Sequence, residues 1–404
     1  MKYIRNKLII EKVSVQNIAK KYSTPAYCYS FGKLKRNIEN FKENFKSFSP
    51  LICFAIKSNT NVKLINEIKR FGLGTNVVSK GELMIAMKAG INPKKIVFSG
   101  VGKTSEEISY AIDKKILLIN AESHSEIKEI DRIARLKKKK KKVGIRINPN
   151  TDEKTINQIS TGKKENKFGV NSKTFIKLVN YCKKSKYLDL ECLSVHIGSQ
   201  ILNHKPYEKT LKVVGKIIDK IDYNFKFIDL GGGMGISYNS EGKKLNYKRY
   251  NIAIKKFLKK YKSKIIFEPG RSIIGDTGFL ISKIIYIKES GKKNFIILDA
   301  AMNDLMRPAL YGATHKIIPS IKKNKKTKKT YEFVGPICES TDKFETLKNY
   351  QELKEKEHIV ICDVGAYGMS LSSNYNLRPK PIELLIKGSK IKVIKKRQEY
   401  KNFI

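Results

Sequence analysis

Eight short apolar runs, each stopped by Gly, Asn, Ser or Pro and each separated from the next by a stretch of helical period, leave this chain little choice of fold. They begin at ICFAIK (52), TNVVS (75), IVFSG (96), LLINAE (117), VGIRINP (143), LSVHIGS (193), FIDLGGG (227) and IIFEPGR (265). Apolar runs alternating with amphipathic stretches such as 62–71, 80–89, 105–112, 123–136, 173–184 and 207–221 are the pattern of a parallel sheet covered by helices. Eight such units predict an α/β fold, a (β/α)8 barrel. The polar residues support that count. Lys57, Asn76, Ser99, Asn120, Arg146, His196, Gly231 to Gly233 and Glu268 all fall at or just past the ends of the predicted strands, where such barrels keep their chemistry. The glycines follow the seventh strand and EPGR the eighth, the two loops with which barrels commonly bind phosphate, so a phosphorylated cofactor is expected.

After about residue 275 the rhythm changes. Runs such as FLISKIIYIKE, NFIILDA, YEFVG, HIVICDV and ELLIKG recur with turns and little helix between them, which predicts a second, mainly antiparallel β domain. The strand-like PAYCYSF near the N-terminus is free to join it. The expected division is a cofactor-binding barrel over 31–274 and a β domain built from 1–30 plus 275–404. A chain of 404 residues with 41% hydrophobic content has the material for two cores.

The formal charge of +46 raises the question of nucleic acid, since clustered lysines gain affinity by releasing counterions from phosphates. Only eleven of the 83 basic residues are arginine, however, and Lys, Asn and Ile fill exposed positions throughout, a pattern of compositional drift rather than of a patch. The lysine run 137–142 reads as a solvated helix end. Six cysteines without CxxC or CxH spacing disfavour both zinc and a disulfide scaffold, and the histidines show no metal-ligand spacing. No apolar stretch reaches eighteen residues, so neither a membrane span nor a signal peptide is expected, and a reduced cytoplasm suits the cysteines.

Lys57 ends an apolar strand. It reads either as a snorkelling surface side chain or as an amine walled in by apolar groups, where lost hydration favours the free base and Schiff-base formation with an aldehyde cofactor. GGGMG reads as a turn, or as backbone amides open to an anion. It is a poor dinucleotide fingerprint, because Ile236 stands where the third glycine is required. Ser199 can add a hydroxyl to the same phosphate. His196, placed on the sixth strand between Val195 and Ile197, is either a packed core histidine or a plate stacked on a flat cofactor ring. Glu268 carries the mechanistic argument: a carboxylate against a pyridine nitrogen keeps that nitrogen protonated and makes the ring an electron sink, which favours decarboxylation, whereas an arginine would favour racemisation.

The motifs CFAIKSN, VVSKGEL, FSGVGKT, RINP, KFGV, HIGSQI, DLGGGMGISY, EPGR, LDAAMNDLMRPALYGATH, GPICESTD and GAYGMSLSSNYNLRP resemble, in order from about residue 25 to 390, those of the diaminopimelate decarboxylases, pyridoxal-phosphate enzymes of the alanine-racemase-like fold. The resemblance implies pyridoxal 5'-phosphate on Lys57, with His196, Ser199, Gly231, Gly232, Gly233, Glu268, Pro269, Gly270, Arg271 and Tyr367 around it. It also implies that Arg271, Arg307 and Tyr311 bind the substrate's distal carboxylate, that Glu339 binds its distal ammonium, and that Tyr367 contacts substrate as well as cofactor. Cys338 is then the proton donor to the decarboxylated carbon. Cys338 and Glu339 are expected to serve a partner subunit, which makes a homodimer with shared active sites. Two positions depart from the family: Asn76 replaces an aspartate, removing a charge near the cofactor, and Ala301 replaces a glycine, so that negative φ or some strain is expected there.

The implied activity is decarboxylation of meso-2,6-diaminopimelate to L-lysine and CO2. Two rivals are another basic amino acid decarboxylase, of ornithine, arginine or carboxynorspermidine type, and a non-catalytic basic binding protein. The lysine, histidine, glycine and EPGR elements specify only the wider group, and the distal-end residues narrow it.

Overall fold

In the computed structural model the described residues are 1–150, 166–238, 242, 244–291, 293–324 and 327–403. The chain divides into two compact units, 38–236 with 243–273, and 1–37 with 237–242 and 274–404.

The first unit is a closed parallel barrel of eight strands, β1 (Leu51–Ala55), β2 (Gly74–Val77), β3 (Ile96–Phe98), β4 (Leu118–Ala121), β5 (Lys141–Arg146), β6 (Leu188–Ser194), β7 (Phe227–Asp229) and β8 (Lys264–Phe267). Each pairs with its sequence neighbours, and β8 closes on β1 through Ile266 opposite Leu51 and Phe267 opposite Ile52. All eight apolar runs are barrel strands. A core cluster of Cys53, Val97, Leu118, Cys192, Phe227 and Ile266 draws on β1, β3, β4, β6, β7 and β8. Strand-to-helix loops end at residues built to start helices: the side chains of Asn61, Ser79, Thr104, Ser123, Asn171 and Asn246 each accept a backbone N–H of the helix that follows. Thr104 and Glu107 form a reciprocal capping box. These caps fix where six of the described helices begin.

Helix Phe31–Phe45 precedes β1 and has no counterpart in the eight-unit count, although Leu34, Ile38, Phe41 and Phe45 recur at helical spacing and are buried. The lysine run also differs from expectation. Lys137 and Lys139 do reach out to Asp113 from a helix end, at 2.7 and 2.9 Å, but Lys141 is already inside β5 and only 5% exposed, because the strand starts there.

The second unit is mainly antiparallel. Its long strand Gly278–Ser290 pairs antiparallel with Ala26–Ser30, with His358–Cys362 and with Lys293–Leu298. Ala26–Ser30 in turn runs parallel to Ile382–Lys387, so the PAYCYSF run does join this domain. A three-stranded N-terminal sheet packs Leu8 and Ile10 into a core with Cys28, Phe279, Ile281, Val360 and Leu384. Ala301 is not among the residues with positive φ and its N–H donates to Asp304 at 2.9 Å, so the missing glycine leaves no backbone strain. Among the described residues no helix is long and apolar enough to cross a membrane.

Candidate active site

At the end of β1 the chain turns through the 3-10 segment Ile56–Ser58 before Asn61 starts the next helix. The Ala55 N–H donates to the Pro269 carbonyl at 3.1 Å, tying the lysine turn to the loop after β8. Ile56 and Ser58 are buried, but Lys57 between them is exposed in the single chain rather than walled in by apolar groups. Its surroundings are ionic: its charge acts on Glu82, His196 and Glu268.

Three loops meet at the triple glycine. A Cβ on Gly231 would lie 2.6 Å from His196 Nδ1, one on Gly232 would lie 2.2 Å from the Glu268 carbonyl oxygen, and one on Gly233 would lie 2.4 Å from the Gly198 carbonyl oxygen. Gly231 also has a φ of +63°, in the left-handed region. The glycines are thus required by close packing of the loops after β6, β7 and β8. Two of their amides are engaged inside the protein, Gly231 N–H to Asp229 Oδ1 at 2.9 Å and Gly232 N–H to His196 Nδ1 at 3.1 Å, so fewer remain for an anion than the sequence suggests.

His196 lies two residues beyond β6, not on it. Burial, then the charges of Lys57 and Arg146, push its pKa well below the usual range, so the ring is neutral. Because Nδ1 accepts from Gly232, the ring proton sits on Nε2. Arg146 supports the backbone here, donating to the His196 carbonyl at 3.3 Å while its other nitrogen pairs with buried Glu122 at 3.0 Å. Glu122 also accepts the N–H groups of Gly100 and Gly169, both at 3.0 Å.

Glu268 follows β8 and faces Asp229 at the end of β7. Burial, then repulsion by Asp229, raises the Glu268 pKa well above its ordinary 4.5, and burial raises that of Asp229 too. Two adjacent carboxyls in a dry site share a proton. Glu268 holds it, since Asp229 accepts from Gly231 N–H, Asn120 Nδ2 (2.9 Å) and Ser194 Oγ (3.3 Å), a set that favours the ionised form. Asn76 Nδ2 donates to Glu268 Oε1 at 2.6 Å and to Ser99 Oγ at 3.0 Å. The asparagine that departs from the family pattern is therefore a donor to Glu268, which an ionised aspartate could not be. Arg271, 6% exposed, donates through Nη2 to Ser199 Oγ at 3.2 Å, and Gly270 sits against Ser58 and Ala55 where a Cβ would be crowded at 3.0 to 3.3 Å.

The other expected residues lie in the second unit. Arg307, 5% exposed, opens the short helix Arg307–Tyr311, and Tyr311 is half-buried at its end. Arg307 Nη1 meets His315 Nε2 at 2.7 Å, and its Cζ lies 4.7 Å from the ring centroid of Tyr238. Cys338 and Glu339 are both exposed, with Glu339 hydrogen-bonded to the hydroxyls of Tyr375 and Thr341. Tyr367 is half-buried with a φ of +59°. Lys57, His196, Ser199, the glycines and the EPGR residues are thus gathered at one end of the barrel by contacts among their loops. The sequence reading missed Glu82, Glu122, the Asp229 partnership, Tyr238 and His315. Only Asp229 carried a signal, as a charge inside an apolar run.

A family model described as the pyridoxal binding domain of pyridoxal-dependent decarboxylases matches residues 31–275. A diaminopimelate decarboxylase of Aquifex aeolicus is 40% identical over 403 residues, covering 99% of this chain and 95% of the relative. One from Helicobacter pylori is 43% identical over 93% of this chain and 94% of the relative. Among solved structures, diaminopimelate decarboxylase from Helicobacter pylori complexed with L-lysine aligns with a TM-score of 0.91 at 41% identity, covering 96% of this chain and 97% of that one.

Proposed function

The chain belongs to the diaminopimelate decarboxylase family, and we propose that it converts meso-2,6-diaminopimelate to L-lysine and CO2 with pyridoxal 5'-phosphate carried on Lys57. The observation that carries this reading is the buried acid at Glu268, held by Asn76 and pushed up in pKa by burial and by neighbouring Asp229, at the mouth of the barrel that also presents Lys57 and His196. When bound, pyridoxal phosphate supplies a ring that accepts the electron pair left as CO2 departs.

The residues fit that group. Glu268 would supply an acidic hydrogen to a ring nitrogen, and the negative field of Asp229 would favour keeping a cation there. Neutral His196 offers a flat face whose tilt is held by the Gly232 N–H. Ser199, oriented by Arg271, and the backbone beyond Gly232 with Pro269 and Gly270 would hold its phosphate. Lys57, exposed in the single chain, is open to a cofactor aldehyde and to an incoming amine.

For the substrate's far end the reading rests on the family resemblance. Arg271, Arg307 and Tyr311 take the distal carboxylate, Glu339 the distal ammonium, Tyr367 touches substrate and cofactor, and Cys338 returns the proton. Bidentate guanidinium forks suit a carboxylate. The exposure of Cys338 and Glu339 supports their service to a neighbouring copy, hence a homodimer, and the protein works in the cytoplasm. The test is CO2 release from diaminopimelate, ornithine, arginine and lysine side by side, together with Lys57→Ala. Release from diaminopimelate is expected, and the substitution should remove the Schiff-base absorbance. Release from ornithine or arginine alone, or a band that borohydride still traps on the Lys57→Ala protein, overturns the proposal.

A further inference from the structure

The contacts of His315 compel one protonation pattern. The 1% exposed ring places Nδ1 2.8 Å from the Cys362 carbonyl oxygen and Nε2 2.7 Å from Arg307 Nη1. A carbonyl oxygen only accepts and a guanidinium only donates, so Nδ1 carries the proton and Nε2 presents a lone pair. Tyr238, in the segment 237–242 that belongs to the same unit, lies against both partners: its ring is 4.7 Å from Arg307 Cζ and meets the imidazole edge-on at 5.3 Å and 80°. One nitrogen and one face of the guanidinium are thereby fixed.

We propose that His315 is a positioning residue for substrate binding, holding Arg307 through the Nε2 lone pair so that the guanidinium meets the substrate's distal carboxylate in a single orientation. The inference rests on the reading above that Arg307 takes that carboxylate. Its physical content is the kind of partner used. An arginine side chain has many rotamers, and ordering it on substrate arrival weakens binding. A carboxylate partner would order it too, but would bring a second anion to compete with the substrate's. A neutral imidazole orients the fork and leaves its charge for the ligand. The imidazole is itself locked by a backbone carbonyl, which cannot change protonation.

The test uses the holoenzyme and two ligands that differ in the group at issue, L-lysine, which keeps the distal carboxylate, and cadaverine, which lacks it. Calorimetric affinities are compared for wild type, Arg307→Ala, His315→Phe and His315→Gln. Loss of a hydrogen bond to a charged group should weaken L-lysine binding by roughly tenfold to a hundredfold in His315→Phe, with cadaverine unchanged. Gln, whose amide offers both an acceptor and a donor, should recover most of the loss. Equal losses for both ligands, or unaltered L-lysine affinity in His315→Phe while Arg307→Ala is impaired, overturn this inference alone. Unaltered affinity in Arg307→Ala overturns it together with the assignment of Arg307. Should the Phe variant not fold, nitrogen-15 NMR of histidine-labelled wild type decides: the ring must carry its proton on Nδ1, and an Nε2–H form overturns the proposal.

Discussion

Replacing Glu268 by glutamine separates the acid's part in the fold from its part in the chemistry. In the cofactor-free protein Glu268 is the protonated member of its pair with Asp229, and Asn76 donates to its Oε1 at 2.6 Å. Glutamine reproduces that pattern, its carbonyl accepting from Asn76 and its amide donating towards Asp229, so stability near pH 5 should change by less than about 1 kcal/mol. The pH dependence should change more. The folded-state pKa of Glu268 lies well above 4.5, so in that window the folded protein holds a proton the unfolded chain has lost. Its stabilising contribution is complete below the unfolded pKa and is lost as pH rises, at up to about 1.4 kcal/mol per pH unit, until the folded pKa is reached. Glu268→Gln removes that slope, so urea midpoints of the apo-proteins from pH 5 to 9 should diverge in the variant's favour. Catalysis moves the other way, because an amide can neither ionise nor keep a ring nitrogen protonated. Losing one preorganised electrostatic group costs about 2.7–4 kcal/mol, or roughly 100- to 1000-fold in kcat for CO2 release. A kcat within threefold of wild type, or parallel urea curves at every pH, would falsify the assigned role.

Gly232→Ala drives a methyl to 2.2 Å from the Glu268 carbonyl oxygen, so the loops after β7 and β8 must separate, with an expected loss of about 1–3 kcal/mol and weaker pyridoxal phosphate binding; an unchanged melting curve and cofactor affinity would show that the loops do not pack so closely. Burial, then repulsion from Lys142, lowers the pKa of Lys141 to about 7, so its contribution is present above the unfolded 10.5 and is lost as pH falls through 7. Lys141→Met should therefore stabilise by about 1–3 kcal/mol at pH 6, after losing the hydrogen bond to the Ile116 carbonyl, with the gain fading towards pH 10; a pH-independent effect in urea titrations would contradict this. Mixing inactive Lys57→Ala and Cys338→Ala proteins and allowing subunits to exchange should restore about a quarter of wild-type activity if each site draws Cys338 from the other copy. No recovery despite demonstrated exchange would place both residues in one chain's site.

The barrel was readable because burial imposes a pattern on sequence: each strand is a short apolar run, and all but one of the described α-helices between them begin at Ser, Thr or Asn. The positions of the candidate site followed, since a barrel that keeps chemistry at strand ends turns a strand count into a residue list. What escaped was set by neighbours distant in the chain. Phe31–Phe45 was regular enough to read but lay before the first barrel strand. Lys57 ends an apolar run yet is exposed, because the backbone turns through Ile56–Ser58 and buries the residues on either side of it. A triple glycine suggests an anion cradle, whereas only the meeting of three loops shows that close packing requires it.

The same limit explains why the partners that tune the charged groups were invisible. Asp229 pairs in register with Ile266, and only that alignment brings it beside Glu268 on the neighbouring strand's loop. Asn76 then holds the acid without adding charge, while in the other unit His315 holds Arg307 by a lone pair. Both devices fix an ionisable group through a neutral neighbour, which brings no charge of its own to compete with a ligand. Neither Asn nor His is unusual where it stands. Their importance lies in which atom donates, and that depends on partners supplied by the fold: a second carboxyl beyond Glu268, and a backbone carbonyl behind His315. A departure such as Asn76, which reads in sequence as a lost charge, is in the folded protein a gained donor, and for that reason it is compatible with the acid it touches.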